Sequence, residues 1–363
     1  MNDGHVLLIH TGGTIGMRKT PQGYEPEAGY LARRMAQITA FSDPDVGGGQ
    51  VTQPSRFGSR VRYDIVELEP LLDSANMSAD EWVRIARTIE EHYDAYDAFV
   101  VLHGTDTMAY TASALSFMLG NLGKSVVLTG SQIPVSRTRN DAVDNLLGAL
   151  LLAGHYVIPE VTIYFNTKLL RGNRATKVDA SGFDAFRSGN FPSLVRVGVD
   201  VDVRWDLIIT PRDPDAGLDV RPITNDHVAA LRMFPSIAAA TIRRFLEPPL
   251  QGLVLETYGS GNAPDNRPAL HDALRTASDR GVVIVNRSQC QTGMVNAEYA
   301  AGRALGALGV IPGADMTAEA ALTKLQWLLS RDLTPDEVRA QMQRSLRGEL
   351  TEPAATPRFH WRG

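Results

Sequence analysis

Three turns in this chain combine glycine with a side-chain hydroxyl: His10-Thr11-Gly12-Gly13-Thr14, His103-Gly104-Thr105-Asp106-Thr107 and Thr129-Gly130-Ser131-Gln132. A threonine hydroxyl attacks a carbonyl only when another group accepts its proton, and the oxyanion that follows needs backbone N–H donors aimed at it. The turns at Thr14 and Thr105 can supply both, while the Asp106 carboxylate suits a substrate ammonium. That set of groups points to attack on a carbonyl carbon. Taken singly, the same turns have a plainer reading, in which glycine reverses the chain and Thr14 caps the helix that follows. Nucleotide binding fits poorly, because Gly12-Gly13-Thr14-Ile15-Gly16 departs from G-x-G-x-x-G and no lysine stands where a phosphate loop needs one. The eight histidines are scattered. Neither H-E-x-x-H nor C-x-x-C occurs, so no metal or other cofactor is expected.

Each turn follows a run with the character of a buried strand: residues 6–9, 99–102 and 126–128. In an open parallel sheet, ligands bind beyond the carboxyl ends of the strands, so the three turns can converge on one pocket. Ser78-x-x-Glu81 is a capping box that opens a helix carrying Trp82, Ile85, Ala86 and Ile89. Helices over 107–121 and 140–153 and a strand over 161–165 follow. This alternation predicts an α/β fold, with a larger N-terminal domain over 1–203 whose mainly parallel sheet is flanked by helices. Pro211, Arg212, Asp213, Pro214, Asp215 and Gly217 break the pattern, and 204–223 reads as a linker. A smaller C-terminal α/β domain is expected over 224–363. Its helices would lie near 237–246, 270–278, 317–330 and 335–346, its strands at 252–258 and 282–286. Residues 41–60, with Gly47-Gly48-Gly49 and Pro54, read as a long mobile loop. The polar stretch from Thr351 onward is expected to fray.

The chain has 363 residues, of which 44% are hydrophobic and 21% charged, enough for two domains with a sizeable core. A net charge of −5 with interspersed signs gives no footprint for nucleic acid and no basic patch for a membrane, which leaves small molecules as partners. No apolar run reaches bilayer length, and residues 1–10 read as the start of a strand rather than a signal peptide. The sole cysteine, Cys290, cannot form an internal disulfide. It fits a reducing compartment, so a cytoplasmic location is expected.

Thr11-Gly12-Gly13-Thr14-Ile15-Gly16 and His103-Gly104-Thr105-Asp106-Thr107-Met108-Ala109-Tyr110-Thr111 resemble the paired signatures of the asparaginase and glutaminase family. Asn121-Leu122-Gly123-Lys124, Thr129-Gly130-Ser131-Gln132-Ile133-Pro134, Arg171-Gly172-Asn173-Arg174-Ala175-Thr176-Lys177, Tyr258-Gly259-Ser260-Gly261-Asn262-Ala263-Pro264, Gly313-Ala314-Asp315-Met316-Thr317 and Leu346-Arg347-Gly348-Glu349-Leu350 are similar to its cytoplasmic type I branch. The similarity runs in order along nearly the whole chain.

The resemblance implies a set of roles. Thr14 would attack a side-chain amide carbon, and Tyr24, on the stretch Pro21-Gln22-Gly23-Tyr24-Glu25-Pro26, would close over the site and assist proton removal. Thr105, Asp106 and Lys177 would form a second polar cluster. A lysine of ordinary pKa, about 10.4, is charged at neutral pH. Burial would lower that value and Asp106 and Asp179 would raise it, so Lys177 reads either as a base or as one half of a positioning salt bridge. Gly13, Asp73, Ser74, Thr105, Asp106, Ser131 and Asn262 would bind substrate. Ser74 and backbone N–H groups suit its α-carboxylate, and Asp73 and Asp106 its ammonium. Asp73 or Ser74 can equally cap the following helix, and Ser131 and Gln132 can simply shape their turn. Asn262 matches a family position that reaches a neighbouring subunit's site, which implies a homodimer or homotetramer.

The implied reaction is hydrolysis of L-asparagine to L-aspartate and ammonia through a covalent acyl-enzyme, with some glutaminase activity. Either Thr14 or Thr105 could acylate first. His10 and His103 read as supporting residues of the core. Glu256 stands where some members carry an effector-binding arginine, so weak or absent cooperativity is expected. The amide-hydrolysing subunit of a tRNA-dependent amidotransferase shares these motifs, but this chain shows no basic face for tRNA. An amino-acid sensor would keep Asp73, Ser74 and Asp106 yet need neither Thr14 nor Lys177.

Overall fold

The computed structural model describes residues 3–21, 23–47, 49–211, 213, 216–295 and 304–352. The chain divides into two compact units, Met1–Asp226 and His227–Gly363. Of the tail expected to fray, residues 353–363 lie outside the described residues.

The first unit is built on an eight-stranded sheet in the order Val201–Val203, Val195–Val197, Lys168–Arg171, Val161–Phe165, Ser125–Thr129, Ala98–Leu102, Gly4–Gly12, Val61–Leu72. The last five of these run parallel. Residues 98–102 are buried throughout. Their side chains are apolar in both pleat directions because helices pack on both faces of the sheet. Helix Met108–Met118 is apolar on every side and buried except at Tyr110. By contrast, Ala79–Glu91 is amphipathic and buries Trp82, Ile85, Ala86, Thr88 and Ile89. Its capping box forms, with Glu81 accepting from the Ser78 N–H at 2.9 Å.

Three strands at one edge depart from the parallel order. Asn166 and Thr167 both adopt positive φ, 45° and 66°, the conformation of a two-residue hairpin turn whose twist matches its strands. The chain reverses there, so Lys168–Arg171 runs antiparallel to Val161–Phe165.

Two segments expected to be loose are stitched down. In the 41–60 loop, Phe41 is fully buried and its carbonyl accepts from the Tyr63 hydroxyl at 2.7 Å. Asp43 pairs with Arg60 at 2.6 Å, and that bond holds the Asp43 carboxyl below its ordinary range. The proline-bearing stretch read as a linker over 204–223 instead belongs to the first unit. Asp219–Val220 pairs with Leu119–Gly120, and the Asn121 side-chain amide donates to the Asp213 carbonyl at 2.8 Å.

The second unit holds a four-stranded parallel sheet in the order Val228–Arg232, Gly252–Thr257, Val283–Ser288, Val310–Pro312. Helices Ala239–Phe245, Pro268–Asp279, Ala318–Leu329 and Pro335–Met342 belong to the same unit. Lys324 and Glu349 pair at 2.5 Å with neither side chain exposed. The ammonium also donates to the Met342 carbonyl at 3.0 Å, which anchors the chain beyond the last helix.

Candidate active site

The convergence of the turns can be measured at their glycines. Gly13 adopts φ +80°, and a methyl group there would lie 2.4 Å from the Gly104 nitrogen. Only glycine tolerates that conformation and that approach, so the Thr14 turn rests directly on the backbone of the Thr105 turn. A methyl at Gly104 would meet Ser74 Oγ at 2.5 Å, and one at Gly130 would meet the His103 carbonyl at 2.2 Å. Side chains reinforce the junction. Thr11 Oγ1 donates to the Leu102 carbonyl at 2.9 Å, and Thr107 Oγ1 to the Ser74 carbonyl at 2.7 Å.

Thr14 opens a short 3-10 turn, Thr14–Gly16, whose cap is Gly13. Its hydroxyl is therefore not spent on capping, as the plainer reading required. It has no hydrogen-bond partner among the described residues, and Thr14 is partly open to solvent. The chain then forms a hairpin, Met17–Thr20 against Gly23–Pro26, with Tyr24 opposite Lys19. Tyr24 thus sits on a paired strand rather than in a loose turn. It is 39% exposed, and its hydroxyl is unpartnered among the described residues.

The second cluster is tightly bonded. Lys177 Nζ donates to Thr105 Oγ1 at 2.8 Å and to Asp106 Oδ1 at 2.6 Å. Thr105 Oγ1 in turn donates to Gln132 Oε1 at 3.1 Å. The Gln132 amide is oriented by its own donation to the Gly182 carbonyl at 3.1 Å. Asp141 grips the turn from below, accepting the Gln132 and Ile133 N–H groups at 2.9 and 3.0 Å. Asp179, two residues from Lys177, accepts backbone N–H groups from Gly182 and Ser181. These bonds hold its carboxyl below the usual range, with the Lys177 charge a smaller contribution.

Of the other expected residues, Asp73 is exposed and caps the turn Ser74–Asn76, accepting from the Ala75 N–H at 3.0 Å. Ser74 is buried against Gly104. Ser131 is also buried, and its hydroxyl donates within its own turn to the Ile133 carbonyl at 2.8 Å. Asn262 lies in the second unit, where its N–H donates to the Tyr258 carbonyl at 2.8 Å in a turn beyond strand Gly252–Thr257.

The two histidines support the turns. His103 is fully buried, which pushes its pKa down to about 4 and leaves it neutral. Since the Gly104 carbonyl, 2.7 Å from Nδ1, can only accept, Nδ1 carries the hydrogen and Nε2 accepts from Thr111 Oγ1 at 2.8 Å. His103 thereby fixes the plane of the peptide that carries the Thr105 N–H. His10 Nδ1 meets Glu67 Oε1 at 3.3 Å, and its ring lies against Gly16, where a methyl would approach Nε2 to 2.7 Å. Asp141 was not identified from sequence: the helix expected from residue 140 begins instead at Ala142, and Asn140-Asp141 was the available signal for that start.

Two family models match the chain on either side of the boundary between its units: "Asparaginase, N-terminal" over residues 5–209 and "Glutaminase/Asparaginase C-terminal domain" over residues 227–342. This chain belongs to the asparaginase family. L-asparaginase 1 of Escherichia coli (strain K12) is 48% identical to it over 349 residues, 95% of this chain and 98% of that protein. The crystal structure of L-asparaginase I from Vibrio cholerae superposes with a TM-score of 0.85 at 44% identity, covering 96% of this chain and 99% of that one. The human 60 kDa lysophospholipase is 46% identical over 97% of this chain, which spans 62% of that longer protein.

In this asparaginase-family enzyme, Glu256, which stands where some members carry an effector-binding arginine, is flanked by two arginines. It stands in register between Arg232 and Arg287 on the neighbouring strands. It pairs with Arg287 at 2.8 Å and approaches Arg232 to 3.8 Å.

Proposed function

We infer that this enzyme hydrolyses L-asparagine to L-aspartate and ammonia, with Thr14 as the nucleophile. The observation that carries the assignment is the contrast between the two threonines. Thr105 Oγ1 accepts from Lys177 and donates to Gln132, so its proton is committed. Thr14 is partly open, and its hydroxyl is unpartnered among the described residues.

Thr14 Oγ1 attacks the side-chain amide carbon as its proton is relayed through the Tyr24 hydroxyl, which takes it up while passing its own proton to the departing nitrogen. Backbone N–H groups of the abutting turns stabilise the tetrahedral oxyanion. The C–N bond breaks, the nitrogen leaves as ammonia after taking up a proton, and an ester remains on Thr14. Water then attacks the ester carbon, the C–O bond to Thr14 breaks and aspartate departs. The exposed carboxylates of Asp73 and Asp106 hold the substrate ammonium, and the Ser74 turn its α-carboxylate. Lys177, as a donor to both Thr105 and Asp106, positions that cluster and supplies positive charge beside the reacting centre. Ser131 acts by shaping its turn.

Glutamine is longer by one methylene, a difference an enzyme pocket resolves by only about 1 to 3 kcal/mol, so weak glutaminase activity accompanies the main reaction. Asn262 completes the site of a second copy in a cytoplasmic homo-oligomer. The test is ammonia release from L-asparagine by the native protein, Thr14→Ala and Thr105→Ala. Native turnover that disappears in Thr14→Ala is expected; full activity in Thr14→Ala, or release of fatty acid from a lysophospholipid in place of ammonia, contradicts the reading.

A further inference from the structure

We propose that the cleft lined by Tyr24, Ile133, Pro134, Arg137 and Arg139 is a second ligand site that takes a small dicarboxylate. If the reading of the enzyme as an asparagine hydrolase holds, its ligand is the reaction's own product, L-aspartate. The cleft is open to solvent and offers about 390 Å³, room for a four-carbon diacid. Its apolar wall is fixed to the reacting end of the molecule. Ile133 follows Gln132, the partner of Thr105, and the Val135 N–H donates to the Ile15 carbonyl at 3.2 Å, one residue beyond Thr14. The cleft therefore adjoins the candidate active site without including the turns that hold substrate.

Its chemistry is cationic. Neither the Arg137 nor the Arg139 guanidinium has a carboxylate partner among the described residues. Arg139 lies over the Phe183 ring at 5.2 Å, a contact that restrains its plane. The loop between the arginines is braced by the Arg137 N–H on the Pro134 carbonyl at 3.0 Å and by the Asn140 amide on the Arg137 carbonyl at 2.6 Å. Guanidinium forks bind carboxylates through paired hydrogen bonds, and the free Tyr24 hydroxyl adds a third donor.

Asparagine and aspartate share an α-carboxylate and an α-ammonium that two guanidiniums repel, so the difference between them is the second carboxylate. Aspartate offers two carboxylates and a net negative charge. The cleft thus separates product from substrate by charge, and a diacid held there engages Tyr24 and keeps it from the next catalytic cycle.

Succinate is the probe, because it lacks the ammonium that Asp73 and Asp106 would hold. Its binding is measured by titration calorimetry at low ionic strength to the native protein and to an Arg137→Gln/Arg139→Gln variant, with inorganic sulfate as the comparison anion. Both arginines are exposed, so thermal unfolding should match between the proteins. The expected result is an affinity for succinate that falls about tenfold or more in the variant, with sulfate the weaker ligand of the native protein. Equal succinate affinity in the two proteins, or sulfate bound as tightly as succinate, overturns the dicarboxylate site. Ammonia release by the native protein is scored separately. Its absence, together with arginine-dependent succinate binding, would sink the hydrolase reading and leave the cleft standing.

Discussion

Gly13 and Gly104 meet backbone to backbone, with space for a hydrogen but not a methyl: a β-carbon on Gly13 would lie 2.4 Å from the Gly104 nitrogen. This contact sets the separation of the two threonine turns. Gly13→Ala is expected to cost about 1 to 3 kcal/mol of stability through its positive φ. Because the turns must also part, kcat/KM should fall by about a hundredfold or more. Steady-state kinetics alongside thermal unfolding checks both, and a stable variant with native kinetics would contradict the account.

Lys177 is placed to act on Thr105 and Asp106 together. Lys177→Met removes the donor to both while keeping the length of the side chain, and kcat should fall by about 10²- to 10⁴-fold with a smaller change in KM. An equally large rise in KM with kcat preserved would reassign Lys177 to substrate binding.

The proximity behind that prediction was only partly legible in the sequence. Residues 98–102 and 161–165 announce themselves as strands because both pleat faces are apolar and buried. Val61–Leu72 does not, since Arg62, Asp64, Glu67 and Glu69 interrupt its apolar residues at the sheet edge. Yet this strand delivers Asp73 and Ser74 to the site. Lys177 reaches Thr105 through the chain reversal at Asn166 and Thr167, where Asn166 is the lone turn signal and no glycine reinforces it. Tyr24 was placed through family resemblance alone. Its hairpin is short and largely exposed, and such strands carry little hydrophobic pattern.

Buried His103 links stability to pH. Its folded pKa of about 4 lies below the ordinary value of 6.5, so the unfolded chain takes up a proton that the native protein refuses. The His103 contribution is complete above about pH 6.5 and is lost as pH falls toward 4, by about 3 kcal/mol over the interval. Urea unfolding of the native protein and His103→Gln across that range reads it. The variant should lose part of the acid slope, and identical slopes would contradict the assignment.

The Glu256 carboxylate is already engaged by Arg287 at 2.8 Å, so it leaves no free cation at its own position to clamp an effector's carboxylate. Initial rates against asparagine concentration should be hyperbolic, with a Hill coefficient of about one. A sigmoidal curve that changes in Glu256→Gln would show that this ion-paired ladder is a regulatory site after all.

The acyl group is expected to form on Thr14 and not on Thr105. The direct measurement is rapid acid quench of the enzyme during asparagine turnover, followed by peptide mass spectrometry. The expected result is an aspartyl ester on the peptide carrying Thr14 and none on the peptide carrying Thr105; an ester confined to Thr105 would assign the nucleophile to Thr105 instead.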